Sequence, residues 1–209
     1  MSEFEQRRVS DDDRALIQRL LCERLSLQGI CRAVGVSMRW LMSFVVECYD
    51  EAPEHLNVTL PACANNVVIR RLEAQADELW SFVGKKSNQQ WLWLAMDSTT
   101  RQVIAFHVGD RSKRSARKLW KKIPAVYREQ AIFWTDGYAS YQGVIPEGQH
   151  QVVTKKARKT NSVERLNGTL RQRLSRLVRA TLSFSKKLKN HIGAIRYFLC
   201  QYNLELAKP

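Results

Sequence analysis

The 209-residue chain is short of acid: 20 Asp+Glu stand against 34 Lys+Arg, a net charge of +14. Such an excess calls for a polyanionic partner, and nucleic acid is the simplest one. Long apolar runs are missing too. None approaches the roughly 18–20 residues that span a bilayer, and the opening MSEFEQRRVSDDD is polar and acidic, unlike a secretory signal. A membrane partner is therefore not expected, and a cytoplasmic, nucleoid-associated location is. Absent as well are a glycine-rich phosphate loop, a G-x-S-x-G elbow and a dinucleotide fingerprint, which argues against a metal-free metabolic enzyme. Cys22, Cys31, Cys48, Cys63 and Cys200 are scattered, odd in number and never spaced C-x-x-C. They read as reduced thiols rather than zinc ligands. His55, His107, His150 and His191 have no ligand or triad spacing to one another.

What is present divides into three sections. The 44% hydrophobic content supports a real core, and the length suits one ordinary domain plus a small appended one. Residues 1–50 read as helical. Asp11–Asp13 can cap a first helix with apolar Ala15, Leu16, Leu20, Leu21 and Leu25, and Ser26 can cap a second from Leu27 to Ala33. Gly35 supplies a turn, and Ser37 caps a third helix through Met38, Trp40, Leu41, Phe44 and Val45. Helix, glycine turn, helix is the layout of a helix-turn-helix DNA reader, and a plain helical hairpin fits the same letters. Residues 51–65, with Pro53 and Pro61, read as a linker.

From residue 66 the texture turns to strands. Val67–Leu72 and the stretch around Asp77–Val83 come first, then a turn at Gly84–Asn88. The run Trp91-Leu92-Trp93-Leu94-Ala95-Met96 is apolar throughout, as expected of a central strand covered on both faces. Val103–Val108 makes a third strand of a meander. A basic helix, Ser115–Ile123, stops at Pro124. Strands Ala131–Thr135 and Gln151–Thr154 follow, then helices over Asn161–Val178 and Lys186–Leu199. The expected fold class is α/β: a ribonuclease-H-like mixed sheet with flanking helices over 66–209, preceded by a small all-α helix-turn-helix segment.

A basic protein that cuts DNA needs carboxylates. Phosphodiester cleavage at neutral pH is commonly done with two divalent metals, and magnesium takes hard oxygen ligands. Asp77 lies in the first strand of the meander, Asp136 directly after the fourth strand, and Glu164 in the first turn of the helix after the fifth. Those positions meet at one end of a ribonuclease-H-like sheet. Asp136 follows Asp77 by 59 residues, and Glu164 follows Asp136 by 28, room for the intervening elements. Each has a plainer alternative. Asn161 and Glu164 could form a capping box, Asp136-Gly137 is a common turn pair, and Asp77 could be an ordinary exposed acid beside Glu78. Asp97 and Asp110 also follow strands and compete for the same roles.

At these stretches the chain resembles a known family. Asp77-Glu78-Leu79-Trp80-Ser81-Phe82-Val83-Gly84-Lys85-Lys86, Trp91 to Ser98, Trp134-Thr135-Asp136-Gly137-Tyr138, and Val163-Glu164-Arg165-Leu166-Asn167 with Leu170-Arg171-Gln172-Arg173-Leu174 are similar to the insertion-sequence-one (InsAB-type) transposases. Leu182 to Lys186 is similar to the segment that follows there. The resemblance is dense over residues 77–203 and weaker over 10–46. It implies a ribonuclease-H-like fold and an Asp-Asp-Glu metal site. Asp77, Asp136 and Glu164 would take the three positions, with Mg²⁺ (or Mn²⁺) as cofactor. It also implies DNA partners, element ends and target, and at least a dimer on DNA, because two ends must be joined in concert. The family's zinc ribbon has no counterpart among the cysteines here.

The implied activity needs no protein nucleophile, although Tyr138 and Tyr141 stand beside Asp136. Arg165, Arg171, Arg173, Arg176 and Arg179 follow Glu164. At 3.6 residues per turn Arg171 nearly eclipses it, so a basic stripe beside the site is expected to grip phosphates. Lys155, Lys156, Arg158 and Lys159 form a second basic run, and Lys85 and Lys86 a third. Two alternatives stay open: a non-catalytic DNA-binding regulator, and a nuclease of the same fold.

Overall fold

The computed structural model describes residues 9–61, 63–64, 67–68, 72–153, 160–177 and 185–208, with backbone only at 63–64 and 67–68. Helix α1 (Asp11–Leu20) opens with a capping box: Ser10 Oγ accepts from Asp13 N, and the Asp13 carboxylate accepts from Ser10 N. Three aspartates in its first turn suit the positive end of the helix dipole. Helix α2 (Leu27–Val34) is capped by Ser26 and ends on Gly35 in the left-handed region, φ 75°. Helix α3 (Met38–Glu51) is capped by Ser37 and meets α2 at 113°, within the helix-turn-helix range. On the exposed side of α3, Arg39 is followed toward the C-terminus by Glu47, Asp50 and Glu51.

A short antiparallel pair, β1 (Cys63–Ala64) and β2 (Val67–Val68), precedes the main sheet. Then come β3 (Glu73–Val83), β4 (Lys85–Asp97), β5 (Val103–Gly109), α4 (Lys113–Lys122), α5 (Ala125–Gln130), β6 (Ile132–Thr135), β7 (His150–Val152), α6 (Asn161–Arg173) and α7 (Leu188–Ala207). The five-stranded sheet runs β5-β4-β3-β6-β7. β3, β4 and β5 are an antiparallel meander, while β6 and β7 run parallel to β3. That order and polarity, with helices on both faces, is the expected ribonuclease-H-like arrangement.

Alternation along the strands assigns the faces. Leu79, Leu92, Leu94 and Met96 join a core shared with α6, α7 and α1–α3. Ala74, Ala76, Trp93 and Ala95 face the other way, onto α4 and α5. The second half of β4, from Leu92 to Asp97, is buried on both sides, which explains its unbroken apolar run. Four described cysteines are free thiols, and burial pushes Cys22 up to about 12 and Cys200 up to about 11.

Several boundaries differ from the sequence reading. The turn expected at residues 84–88 contracts to Gly84, φ 74°, and Lys85 already pairs with Val83. The helix expected to reach Val178 ends at Arg173. Leu174 is extended, and Ser175–Leu177 form a single 3-10 turn. The last helix starts later and runs further than expected, and α5 follows Pro124 at once. Of the strand expected at Val67–Leu72, residues 69–71 lie outside the described residues.

The connection read as a linker packs tightly over its described part. Leu56 is buried, and its carbonyl accepts from Asn203 Nδ2 on α7 at 2.8 Å. Asn203 also clasps the edge strand, taking Val103 N–H on Oδ1 (2.8 Å) and giving Nδ2–H to Val103 O (2.9 Å). It acts as one residue of an extra strand. α3 crosses α7 at Gly193, where a Cβ would lie 2.8 Å from Tyr49 Cβ. Tyr197 OH donates to Gln18 O, and Lys189 pairs with Asp50. The three N-terminal helices therefore share their packing with the sheet's α7 layer.

Asn203 is fully buried and bridges three elements. Asn203→Ala leaves the Val103 and Leu56 backbone groups without these partners. It is expected to cost about 3 kcal/mol, read as a fall in the urea midpoint with unchanged slope.

Candidate functional site

Asp77 sits in the middle of β3. Residue parity puts it on the same face as Gln75 and Leu79, toward α6, and Asn167 Nδ2 of α6 donates to its Oδ2 at 2.7 Å. β6 lies beside β3 in parallel, with Gln75 paired to Trp134. Carried two residues on, that register brings Asp136 level with Asp77 at the C-terminal end of β6. Gly137 then turns the chain with φ 86°. α6 supplies Glu164. Its N-terminus would leave backbone N–H groups unmet, and the cap residue Thr160 makes no side-chain cap bond. Instead Gln75 Oε1 accepts from Val163 N at 3.0 Å. A strand residue thus caps the helix and sets Glu164 one residue further on. The capping box considered for Asn161 and Glu164 does not form; Thr160 Oγ1 donates to Glu164 Oε1 at 3.0 Å.

Electrostatics tie the three carboxylates together. Burial, with the charges of Glu78, Asp136 and Glu164, pushes the Asp77 carboxyl up to about 7 against the opposing pull of the Glu78 backbone N–H. Each carboxylate is held by a protein donor, Asp136 by the N–H of Tyr138 at 3.0 Å. Among the described residues no three His, Cys, Asp or Glu side chains converge as a ready-made metal set. They lie near enough to repel and not near enough to share one ion as they stand. The surroundings nonetheless suit a hard cation. The donors are all oxygen, Asp77 ionises against its surroundings, and Asn167 Oδ1, one helical turn from Glu164, is buried with no hydrogen-bond partner. A divalent cation answers all three.

The competing acids have other work. Asp97 is fully buried, capping its own turn through Thr99 N and Thr100 N and accepting from Tyr127 OH. Asp110 accepts from Ser112 and Ser115 at the start of α4. Glu78 points to the opposite face from Asp77. It takes a salt bridge from Arg111 at 2.8 Å and a bond from Tyr141 OH, and burial raises its carboxyl. Burial also holds Tyr141 far above the ordinary tyrosine range, and Tyr138 OH donates to Arg111 O. Neither tyrosine is arranged as a nucleophile.

The expected basic stripe is divided. Arg173 forks onto Glu205 and also reaches Glu23, and Arg176, beyond the helix end, reaches Ser185 Oγ and lies over the Tyr49 ring. These two turn toward α3, α7 and the end of α1 rather than to an open surface, which corrects the sequence reading. Arg165 is exposed and Arg171 half-buried on α6; Lys85 and Lys86 are exposed at the start of β4. Lys155, Lys156, Arg158, Lys159 and Arg179 lie outside the described residues. A cavity of about 600 Å³ opens elsewhere, on the β5 edge, lined by Leu60, Phe106, Lys122 and Ile192 among others.

Comparisons with known proteins identify a family. The family model described as IS1 transposase matches residues 70–204. An insertion element IS1 protein InsB from Shigella flexneri is 38% identical over 126 residues, covering 60% of this chain and 92% of the relative. A second InsB, from Escherichia coli (strain K12), is 33% identical over 159 residues, covering 72% and 92%. Among solved structures, a chain of the simian T-cell lymphotropic virus intasome in complex with PP2A regulatory subunit B56 gamma overlays with a TM-score of 0.37. It is 13% identical and covers 75% of this chain and 57% of that one. So distant an overlay carries no weight beside the strand order.

The raised Asp77 carboxyl makes a testable statement. In the metal-free protein its folded pKa of about 7 exceeds its ordinary value. The folded state therefore binds more protons than the unfolded one between about pH 4 and pH 7, and stability falls as pH rises through that window. Asp77→Asn is expected to stabilise the metal-free protein by up to about 4 kcal/mol at pH 7.5 and by well under about 1 kcal/mol at pH 4. Paired thermal melts at the two pH values check it.

Proposed function

Because the chain belongs to the IS1 transposase family, we propose that it cuts DNA at the ends of a mobile element and joins the freed ends to target DNA. In this reading Asp77, Asp136 and Glu164 hold Mg²⁺ or Mn²⁺. The observation that carries it is the parallel pairing of β6 with β3, Gln75 opposite Trp134, with Asp77 and Asp136 each two residues further on, and the Glu164 helix capped from the same strand by Gln75. Divalent cations, when bound, activate the attacking oxygen and stabilise the leaving one.

The chain's own residues do the rest. Asp77, with Asp136 and Glu164, would hold the cation, whose charge would offset the repulsion among the three carboxylates once Asp77 is ionised. Asn167 holds the Asp77 carboxylate in one orientation, and its own Oδ1 is buried without a hydrogen-bond partner among the described residues. Glu164 and Asp136 are exposed, so each turns toward a cation at the cost of a rotamer change and one local hydrogen bond. Arg165, Arg171, Lys85 and Lys86, with Lys155, Lys156, Arg158, Lys159 and Arg179, are the cations proposed to touch phosphate. The α2–α3 pair is proposed to read element-end DNA, presenting the start of α3 around Arg39. Joining two ends in concert needs at least two copies on the DNA, acting in the cytoplasm at the nucleoid.

A gel assay of labelled element-end DNA with a target plasmid and Mg²⁺ or Mn²⁺ checks the proposal. Joined products are expected, with a loss of at least about 100-fold in Asp136→Asn, as for removal of a core electrostatic group. Cutting without joining points to a nuclease of this fold. Retarded but uncut DNA in both proteins leaves a DNA-binding regulator.

A further inference from the structure

The cations of α6 assigned by sequence to DNA are partly engaged inside the protein. Arg173 is bound to Glu205 and Glu23, and Arg176 to Ser185 and Tyr49. Arg111 is held by Glu78, Lys189 by Asp50 and Arg196 by Glu54. α4 is different. Lys113, Arg114, Arg117, Lys118 and Lys121 are all exposed, and among the described residues none of them makes a salt bridge. Arg114 lies near one acid, Asp110, which is already bound to Ser112 and Ser115.

The arrangement is directional. At about 100° per residue the five cations fall in an arc of about 140°. The buried residues Ser115, Ala116 and Leu119 form an arc centred opposite. Ala116 and Leu119 seat α4 on the sheet through the core of Ala74, Ala76, Trp93 and Ala95, so the charged arc faces away from the sheet. From Lys113 to Lys121 the helix rises about 12 Å at 1.5 Å per residue, which spans about two to three phosphates of a duplex strand.

The stripe begins beside the candidate site. Arg111, two residues before α4, lies 4.3 Å from the ring centres of both Trp91 and Tyr138 and bridges to Glu78, the neighbour of Asp77. Tyr138 OH in turn donates to Arg111 O, and Tyr138 stands two residues after Asp136. One end of α4 is thereby clamped to the Asp136 turn, and the stripe leads away from it on the sheet face opposite α6.

We propose that the exposed face of α4, through Lys113, Arg114, Arg117, Lys118 and Lys121, is a sequence-independent track for the phosphate backbone of duplex DNA flanking the reacting phosphate. The proposal rests on the DNA-cutting reading above and adds to it the surface that carries the DNA beyond the carboxylates. A stripe of unpaired cations of one sign suits phosphate oxygens and reads no bases.

The test is fluorescence anisotropy of the full chain on a labelled duplex across a salt series. Wild type is compared with the triple variant Arg117→Gln, Lys118→Gln, Lys121→Gln and with Lys189→Gln, whose charge is already paired. Removing one phosphate-binding cation lowers the slope of log affinity against log salt by about 0.9. The triple variant is expected to show a slope smaller by about 2 to 3 units at an unchanged melting temperature, and Lys189→Gln an unaltered one. A folded triple variant with the wild-type slope overturns the α4 track. If the wild type still cuts DNA with metal in that case, the proposed function stands alone. A wild-type chain that binds no duplex at low salt overturns both.

Discussion

The candidate site depends on one buried hydrogen bond, from Val163 N to Gln75 Oε1 at 3.0 Å. A helix end pressed onto a sheet leaves backbone donors in a place water does not reach, and each such donor costs about 1–3 kcal/mol if unmet. Here the acceptor comes from the strand that also carries Asp77. The bond therefore fixes the height of α6 above the sheet and its rotation about its own axis. Once both are set, Glu164 follows on the next residue, and Asn167 falls within 2.7 Å of Asp77. Val163, Leu166 and Leu170, all buried, hold the same face down.

Around that joint the protein keeps two kinds of acid apart. Glu78 has a cation of its own, Arg111, and a tyrosine hydroxyl. Asp77, one residue away and on the other face, has neither among the described residues. It is buried among like charges in a chain of net charge +14. A basic protein leaves such a carboxylate without a cationic side chain only at a cost in stability, and an uncompensated charge of that kind is the mark of a functional position. Elsewhere positive charge is used to join layers, as where Arg173 ties α6 to α7 and to the end of α1. The α4 face is the contrasting case, with positive charge left facing outward.

Local patterns made much of this legible in the sequence. Ser26, Gly35 and Ser37 mark the ends of α2 and α3 because caps and left-handed turns are local chemistry. The apolar run of β4 announces a strand covered twice. The parts that were not legible depend on residues distant in the chain. Gln75 looks like the polar half of an alternating strand, and only the arrival of Val163, 88 positions later, makes it a helix cap. Asn167 was visible as part of a family-like stretch, and its spacing of three from Glu164 could have marked it as sharing that face. The helix expected to carry Arg176 stops short of it because Leu174 is extended, a backbone event that no helical pattern forecasts. The linker reading of residues 51–65 weighed Pro53 and Pro61 and could not see that Leu56 is buried under Asn203.

The central claim is that Asp77, Asp136 and Glu164 act as one cation site assembled by the α6–β3 joint. Calorimetric titration of Mn²⁺ into the full chain, the wild type and Asp77→Asn, Asp136→Asn and Glu164→Gln, addresses it most directly. The expected result is binding by the wild type whose affinity climbs with pH until Asp77 is ionised, at about 7, and weaker binding in all three variants. Variants that bind Mn²⁺ as tightly as the wild type, with the same pH dependence, would contradict it.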